Sequence, residues 1–280
     1  MKKILLTGAS GFIGSALHEA LKKDNEVLVL DRKEVSFDNT EKLISLCKRI
    51  DVIVHFGGLT RGTVPELVEA NVLNTTRLAQ SAIQSGRDIH FIFASSFAIY
   101  APSNELLTED SATQPKSPYG KTKEWAEEML QTMTKNTNLS VTSLRIANAY
   151  GPNVPPYAQS VIATFIDQIK NRKPVTISGD GHQRRDFVFV NDIVRAVKKS
   201  LLHTPKSEFE TFNICSSTEV SLNQLVEKIS ALLGIPASID RKAGEVEIAT
   251  YIGDYHKAKS VLGWSPRTSF EEGLQKCVLE

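Results

Sequence analysis

The chain is poor in cysteine, and the three it has are badly placed for cross-linking. Cys47, Cys215 and Cys277 are odd in number and far apart. They give neither a disulfide framework nor a metal-ligand spacing, so a reducing, cytoplasmic setting and no metal site are expected. Charge of one sign is missing as well: 33 basic against 32 acidic residues leave a formal net charge of +1. Such a balance offers no basic field for nucleic acid and no polybasic patch for a membrane. Long apolar runs are also lacking. The opening run Ile4-Leu5-Leu6 stops at Thr7-Gly8, too short for a signal-peptide core or a membrane span. No internal repeat or low-complexity tract is present. What remains is a chain of 280 residues, 41% hydrophobic and 23% charged. That length and composition suit one large α/β unit or two closely joined parts.

The first half alternates short apolar runs with amphipathic stretches. Residues 4–7, 27–30, 52–55, 90–94 and 141–144 read as strands, and 12–23, 40–49, 65–85 and 118–135 as helices. Near-continuous apolar strands alternating with helices predict a parallel sheet covered on both faces. After Tyr150-Gly151-Pro152 the pattern loosens, punctuated by Pro155-Pro156 and Pro174, and helices are predicted at 221–233 and 270–278. The expected organisation is one body with a cleft between a larger part, 1–150, and a smaller part, 151–280. Part of 186–203 is expected to pack back on the first.

Gly8-Ala9-Ser10-Gly11-Phe12-Ile13-Gly14 follows the first strand and opens the first helix. Gly8 and Gly11 permit a tight turn and close backbone approach to a pyrophosphate, and Gly14 permits close helix–sheet packing. The helix N-terminus turns its unpaired N–H groups toward the phosphates. Asp31 closes the second strand 17 residues after Gly14. A carboxylate there accepts hydrogen bonds from a ribose 2′-hydroxyl and favours NAD over NADP. Arg32 and Lys33 come next and leave NADP open. Asp38 has two readings, an acceptor for the adenine amino group or the N-cap of helix 40–49. The first half is thus expected to bind a dinucleotide through Gly8, Ser10, Gly11, Phe12, Ile13, Gly14, Asp31, Arg32 and Asp38.

Tyr119 and Lys123 stand four apart at the start of a helical stretch and share one helix face. An ammonium near a phenol, helped by a positive nicotinamide ring, lowers the phenol pKa and suits it to proton transfer as a hydride moves. On spacing alone such a pair is more often a solvated helix face. Ser95 and Ser96 follow strand 90–94, at the carboxyl edge where open α/β sheets bind ligands, and either one can hydrogen-bond the same substrate oxygen. The bland alternative for both is strand-end capping.

Together these segments resemble the nucleotide-sugar epimerase/dehydratase group of the extended short-chain dehydrogenases/reductases, of the UDP-glucose 4-epimerase type, over nearly the whole chain. The resemblance implies a Rossmann-type doubly wound parallel sheet with a smaller C-terminal substrate domain. It implies Tyr119, Lys123 and Ser96 as the catalytic set. Ser96 is preferred to Ser95 because it lies four residues before Tyr100. Tyr119 and Lys123 then also contact the cofactor, and Asn71 supports its site. The stretch from Asp51 to Gly58 resembles the strand and loop beside the cofactor. Leu144 to Pro152 and Arg185 to Val190 resemble segments whose asparagine and arginine meet the substrate diphosphate, here Asn148 and Arg185, with Arg184 able to share the task. Lys242 or Arg241 is implied as a second phosphate-binding cation, with Lys242 preferred. Ser178 sits where relatives often carry an aromatic beside the base, and Tyr157, Ala158 and Gln159 are implied near the sugar. The stretch from Asp31 to Asp51 is short, so a trimmed adenine-side sheet is expected.

The implied reaction is NAD-dependent epimerisation of a nucleotide-diphosphate sugar at carbon 4. Phe97, Ala98 and Ile99 after Ser96 supply no acid for dehydration. Reduction of a 4-keto-6-deoxy nucleotide sugar by NAD(P)H uses the same residues and stays open, as does a non-catalytic dinucleotide sensor. Apolar positions on helices 65–85 and 118–135 imply a homodimer through a four-helix contact. Their burial within one chain is the competing reading.

Overall fold

The computed structural model describes residues 1–31, 35–154, 160–203, 205, 207–243 and 250–279. Strands β1 (Lys3–Thr7), β2 (Glu26–Leu30), β3 (Val52–His55), β4 (Ile89–Ser96) and β5 (Leu139–Ile146) alternate with helices. The helices are α1 (Phe12–Leu21), α2 (Thr40–Cys47), α3 (Val64–Val68), α4 (Asn74–Gln84) and α5 (Pro118–Thr134). Between α3 and α4 runs a π-helical segment, Glu69–Leu73, where the sequence predicts one uninterrupted helix. Then follow β6 (Asn148–Tyr150), α6 (Val161–Lys170), β7 (Val175–Ser178), β8 (Arg184–Phe189), α7 (Val190–Leu202) and β9 (Phe209–Ile214). The described chain closes with β10 (Glu219–Ser221), α8 (Leu222–Leu233), β11 (Ile239–Lys242) and α9 (Phe270–Leu279).

The main sheet has the order β2-β1-β3-β4-β5-β9, every pairing parallel. Strand alternation divides the apolar side chains between two layers. Ile4, Leu6, Val54 and Ile92 meet Leu17 of α1 and Ile193 and Val197 of α7 on one face. Leu5, Ile53, Phe91 and Phe93 meet Leu78 of α4 and Leu130 of α5 on the other. Both faces are therefore covered, the Rossmann-type arrangement expected from the apolar runs. β2 is an edge strand, and α2 is the one helix described between it and β3.

Strand β9 completes this sheet beside β5, and α7 covers it, although both lie beyond residue 150. The 1–150 boundary therefore cuts through the sheet: its last strand and one covering helix come from the second half. β10-β8-β6 and β11-β7 form two small sheets. A third core gathers around them, with Tyr150, Phe165, Ile177, Phe187, Leu225 and Phe270.

Candidate functional site

Because β2 and β3 flank β1 on opposite sides, a crevice opens where the winding reverses, at the carboxyl ends of β1 and β3. Gly8 leaves β1 at φ +75°, where a side chain is disfavoured. A Cβ on Gly8 would stand 2.5 Å from the Phe56 carbonyl oxygen, and one on Gly14 only 1.9 Å from that of Gly8. The turn, the first helical turn and the loop after β3 interlock with no room for side chains. Helix α1 begins at Gly11 with no side-chain cap and no acidic residue in its first turn. Its first N–H groups and positive dipole end are therefore left for an anion. Gly8, Gly11, Phe12, Ile13 and Gly14 line a cavity of about 400 Å³, and Ser10 is exposed in the turn beside it. A backbone cradle that any Cβ would fill, at an anion-favouring helix end, fits the pyrophosphate of a dinucleotide.

Asp31 is exposed directly after β2, while Arg32 and Lys33 lie outside the described residues. Asp38 is not the cap of α2. That role belongs to Asn39, whose side chain accepts from the Lys42 N–H. The Asp38 carboxylate instead pairs with Arg77 of α4 at 3.1 Å. Asn71 is fully buried inside the π segment. Its Oδ1 accepts from the Leu59 N–H at 2.8 Å, and its Nδ2 donates to the Leu59 carbonyl at 2.8 Å and to Thr122 Oγ1 at 3.0 Å. Leu59 lines the cavity, so Asn71 holds a cavity wall and ties it to α5.

Ser95 and Ser96 are the last two residues of β4 itself, so their side chains leave on opposite faces. Ser96 is half-buried and accepts the Ala98 N–H at 3.1 Å. Tyr119, Ser96 and Lys123 all line the cavity that the glycine turn opens, with Ser96 near enough to act on the Tyr119 phenol. Ser95 is buried and its hydroxyl has no hydrogen-bond partner among the described residues. Lys123 Nζ donates to the Ala94 carbonyl at 2.7 Å and lies 4.7 Å from the Phe93 ring centroid. Burial lowers its pKa to about 8, against an opposing pull from Glu127 one turn along α5. The phenol of Tyr119 is held above its ordinary value by burial, with Ser96 acting the other way. Among the protein's own groups burial outweighs the lowering of the phenol expected from the sequence.

Asn148 lines the same cavity, and its Nδ2 donates to the Asp186 carbonyl at 2.9 Å. Arg185 is half-buried on β8, with its guanidinium 5.5 Å from the Tyr251 ring centroid. Arg184 does not share its position: it pairs with Glu219 across the β8–β10 ladder. Arg241 donates to the Asp180 carbonyl and, at 3.1 Å, to Asn223 Oδ1. Lys242 ends β11 as the register partner of Ser178, and its side chain is exposed. Arg185 and Lys242 are not among the cavity-lining residues. Tyr157, Ala158 and Gln159 lie outside the described residues. The sequence reading missed Thr60, Arg61 and Ser160, which also line the cavity. No motif marks them, since they come from loops whose spacing carries no period. Among the described residues no group of three or more His, Cys, Asp or Glu is placed to hold a metal, and no helix is long and apolar enough to cross a membrane.

Fold and crevice together define a Rossmann-type dinucleotide-binding protein. The sequence model of the NAD dependent epimerase/dehydratase family matches residues 4–215, and the chain belongs to that family. It is 31% identical to a putative UDP-glucose 4-epimerase of Methanocaldococcus jannaschii, over 98% of this chain and 97% of the relative. Its fold is similar to that of UDP-glucose 4-epimerase from Thermotoga maritima, solved with UDP-glucose. The TM-score is 0.90 and the identity 30%, over 99% and 97% of the two chains. It is also similar to MoeE5 in complex with UDP-glucuronic acid and NAD, with TM-score 0.89 and identity 29% over 99% and 97%.

Proposed function

We propose that this chain is an NAD-dependent epimerase that inverts carbon 4 of a nucleotide-diphosphate sugar. One observation carries the reading: the glycine turn, Tyr119, Ser96 and Lys123 open onto a single cavity whose described lining contains no carboxylate. A dehydratase needs an acid to protonate the leaving hydroxyl and a base at carbon 5. The turn after Ser96 supplies neither, since Phe97 and Ile99 are buried apolar side chains and Ala98 has no ionisable group. Proton transfer at one oxygen by one phenol is what remains.

Gly8, Gly11 and the first turn of α1 would hold the cofactor pyrophosphate, with Asp31 at the adenosine ribose and Tyr119 and Lys123 at the nicotinamide end. Bound NAD supplies a hydride acceptor that later gives the hydride back. Tyr119 takes the proton from the 4-hydroxyl and returns it after the sugar has turned over. Ser96 hydrogen-bonds the same oxygen and holds it near the phenol, and Lys123 keeps a positive charge beside both. Asn148, Arg185 and Lys242 would meet the diphosphate, for which a guanidinium fork is well shaped. Relatives solved with UDP-glucose or UDP-glucuronic acid make UDP-hexoses the first class to test.

The same reading includes a homodimer and a cytoplasmic place of action, in keeping with three scattered cysteines. Of the apolar positions on α3, α4 and α5, Leu67, Leu78, Ala79, Ala126 and Leu130 are buried within the chain. Trp125 and Met129 remain 40% and 44% exposed, with Leu73 of the π segment at 40%. Those three would form the helical contact.

The test is to denature the purified protein, quantify the nicotinamide released, and assay UDP-glucose and UDP-N-acetylglucosamine without added cofactor. About one NAD per chain and a 4-epimer product are expected. Turnover only when a 4-keto sugar and NADPH or NADH are supplied would replace the epimerase with a reductase.

A further inference from the structure

The buried histidine that ends β3 takes no part in the chemistry above, yet its hydrogen bonds run behind the loop whose Gly58 and Leu59 wall the cavity. His55 is 1% exposed. Its Nδ1 lies 2.7 Å from Thr7 Oγ1 and its Nε2 lies 2.9 Å from Thr75 Oγ1. The direction of every bond in this row follows from its ends. The Gly57 N–H donates to Thr7 Oγ1 at 2.9 Å, and Thr75 Oγ1 donates to the Asn71 carbonyl at 2.7 Å. A hydroxyl has one proton. Thr75 has given its own to Asn71, so it can only accept from His55, and Nε2 carries the hydrogen. Burial with Lys123 nearby lowers the imidazole pKa to about 3, so the ring is neutral. Nδ1 is then an acceptor, and Thr7 donates to it.

The row therefore has one polarity throughout, from Gly57 N–H through Thr7, His55 and Thr75 to the carbonyl of Asn71. Both of its ends touch the same loop. Thr7 holds Gly57, and the Asn71 amide holds both the N–H and the carbonyl of Leu59. Between them the loop is squeezed until no Cβ fits. One on Gly57 would stand 2.9 Å from Thr7 Oγ1, and one on Gly58 would stand 2.6 Å from Asn71 Oδ1 and 3.8 Å from Lys123 Nζ. From Asn71 the network continues to Thr122 Oγ1, which donates to the Tyr119 carbonyl at 2.8 Å. The cofactor-side loop and the first turn of the Tyr119 helix thus hang on one fixed set of bonds.

We propose that His55, as the neutral Nε2–H tautomer, is a positioning residue that locks the 57–59 loop and Asn71 in the geometry that retains the dinucleotide. This rests on the reading of the cavity as an NAD site, and it assigns His55 no contact with substrate or cofactor. Protonation would set a hydrogen on Nδ1 against the Thr7 hydroxyl hydrogen, and the other tautomer would in addition leave Nε2 and Thr75 Oγ1 facing each other as two acceptors, so either change breaks the row.

Thr75→Val tests it, since valine keeps the volume and removes both of that residue's bonds. The rate at which NAD leaves the holoprotein should rise by about fivefold or more, the equivalent of one net hydrogen bond. Thr75→Ser should restore the slow rate. A control in α8, Ile229→Val or Ile229→Ala chosen to match the fall in melting temperature, should leave NAD release unchanged. Independently, the ¹⁵N-histidine spectrum of the wild-type protein, with His55 assigned by loss of its signals in His55→Asn, should show the Nε2–H tautomer. NAD release unaltered in Thr75→Val, equal acceleration in the α8 control, or an Nδ1–H or charged His55 would each overturn the inference. A wild-type protein that binds no NAD at all would instead overturn the reading of the site, and this inference with it.

Discussion

Tyr119 is a neutral phenol in its own protein surroundings, held so by burial against the opposing influence of Ser96. Its proton-transfer role predicts that Tyr119→Phe lowers turnover by about 10²–10⁴-fold, the usual worth of a positioned acid–base group. Bound NAD, counted after denaturation, should be unchanged; normal turnover by this variant would contradict the mechanism. Lys123 offers a second test, because folding depresses its pKa from 10.5 to about 8. The folded protein therefore holds this proton more weakly than the unfolded chain does. The stabilising contribution of the group is complete above the unfolded value and is lost as pH falls through the folded one. Melting curves from pH 8 to 10.5 should thus rise less steeply with pH in Lys123→Met than in wild type, and identical slopes would contradict the burial of that ammonium. At this scale the sequence was informative where chemistry and spacing coincide, as at Tyr119, Lys123 and Ser96. It was silent on the Ala94 carbonyl that engages Lys123, because a backbone partner leaves no mark in residue identity.

The helix that carries Tyr119 is docked by contacts that leave no slack. A Cβ on Gly120 would stand 2.1 Å from the Ala98 carbonyl oxygen, so the first turn of α5 lies directly against the turn that follows Ser96. Gly120→Ala should push these apart and reduce kcat by about tenfold or more, the cost of a misplacement near 1 Å. Bound NAD should be less affected; steady-state kinetics beside a nucleotide count checks both. One turn beyond Lys123, Glu127 receives Arg145 from β5, with Nη2 at 2.8 Å from Oε2 and Nε at 3.2 Å from both oxygens. Arg145→Met would leave a buried carboxylate without its partner and should cost about 3–5 kcal/mol in denaturant unfolding. The helix from 65 to 85 shows where element-level reading stops. Its apolar period reports which face is buried, but one inserted residue in the hydrogen-bond ladder changes that period too little to be seen. The π segment that carries Asn71 was therefore invisible, although the asparagine itself was noticed. Strands β4 and β5 run further than the apolar pattern suggests, because Ser95 and Ser96 at the end of β4 and Arg145 next to the end of β5 are polar and do not look like strand.

Across the whole molecule, the division at residue 150 followed a change in sequence texture, whereas the sheet is completed by β9 from 209–214. Parallel strands are joined by long crossovers, and periodicity along the chain does not say which distant strand will close the edge. The proposed assembly is tested at this scale. Trp125→Asp places a charge in the middle of the exposed apolar strip of α5 and should convert a dimer to a monomer in sedimentation analysis. A wild-type monomer would remove the dimer from the account. In the proposed epimerisation, hydride leaves and returns to the same carbon within one protein molecule. The measurement is to incubate the purified protein with UDP-glucose deuterated at carbon 4, add no cofactor, and follow the sugar by NMR. Formation of the 4-epimer with deuterium retained at carbon 4 is the predicted result; loss of the label to solvent, or no epimer unless a reductant and a keto sugar are supplied, would contradict it.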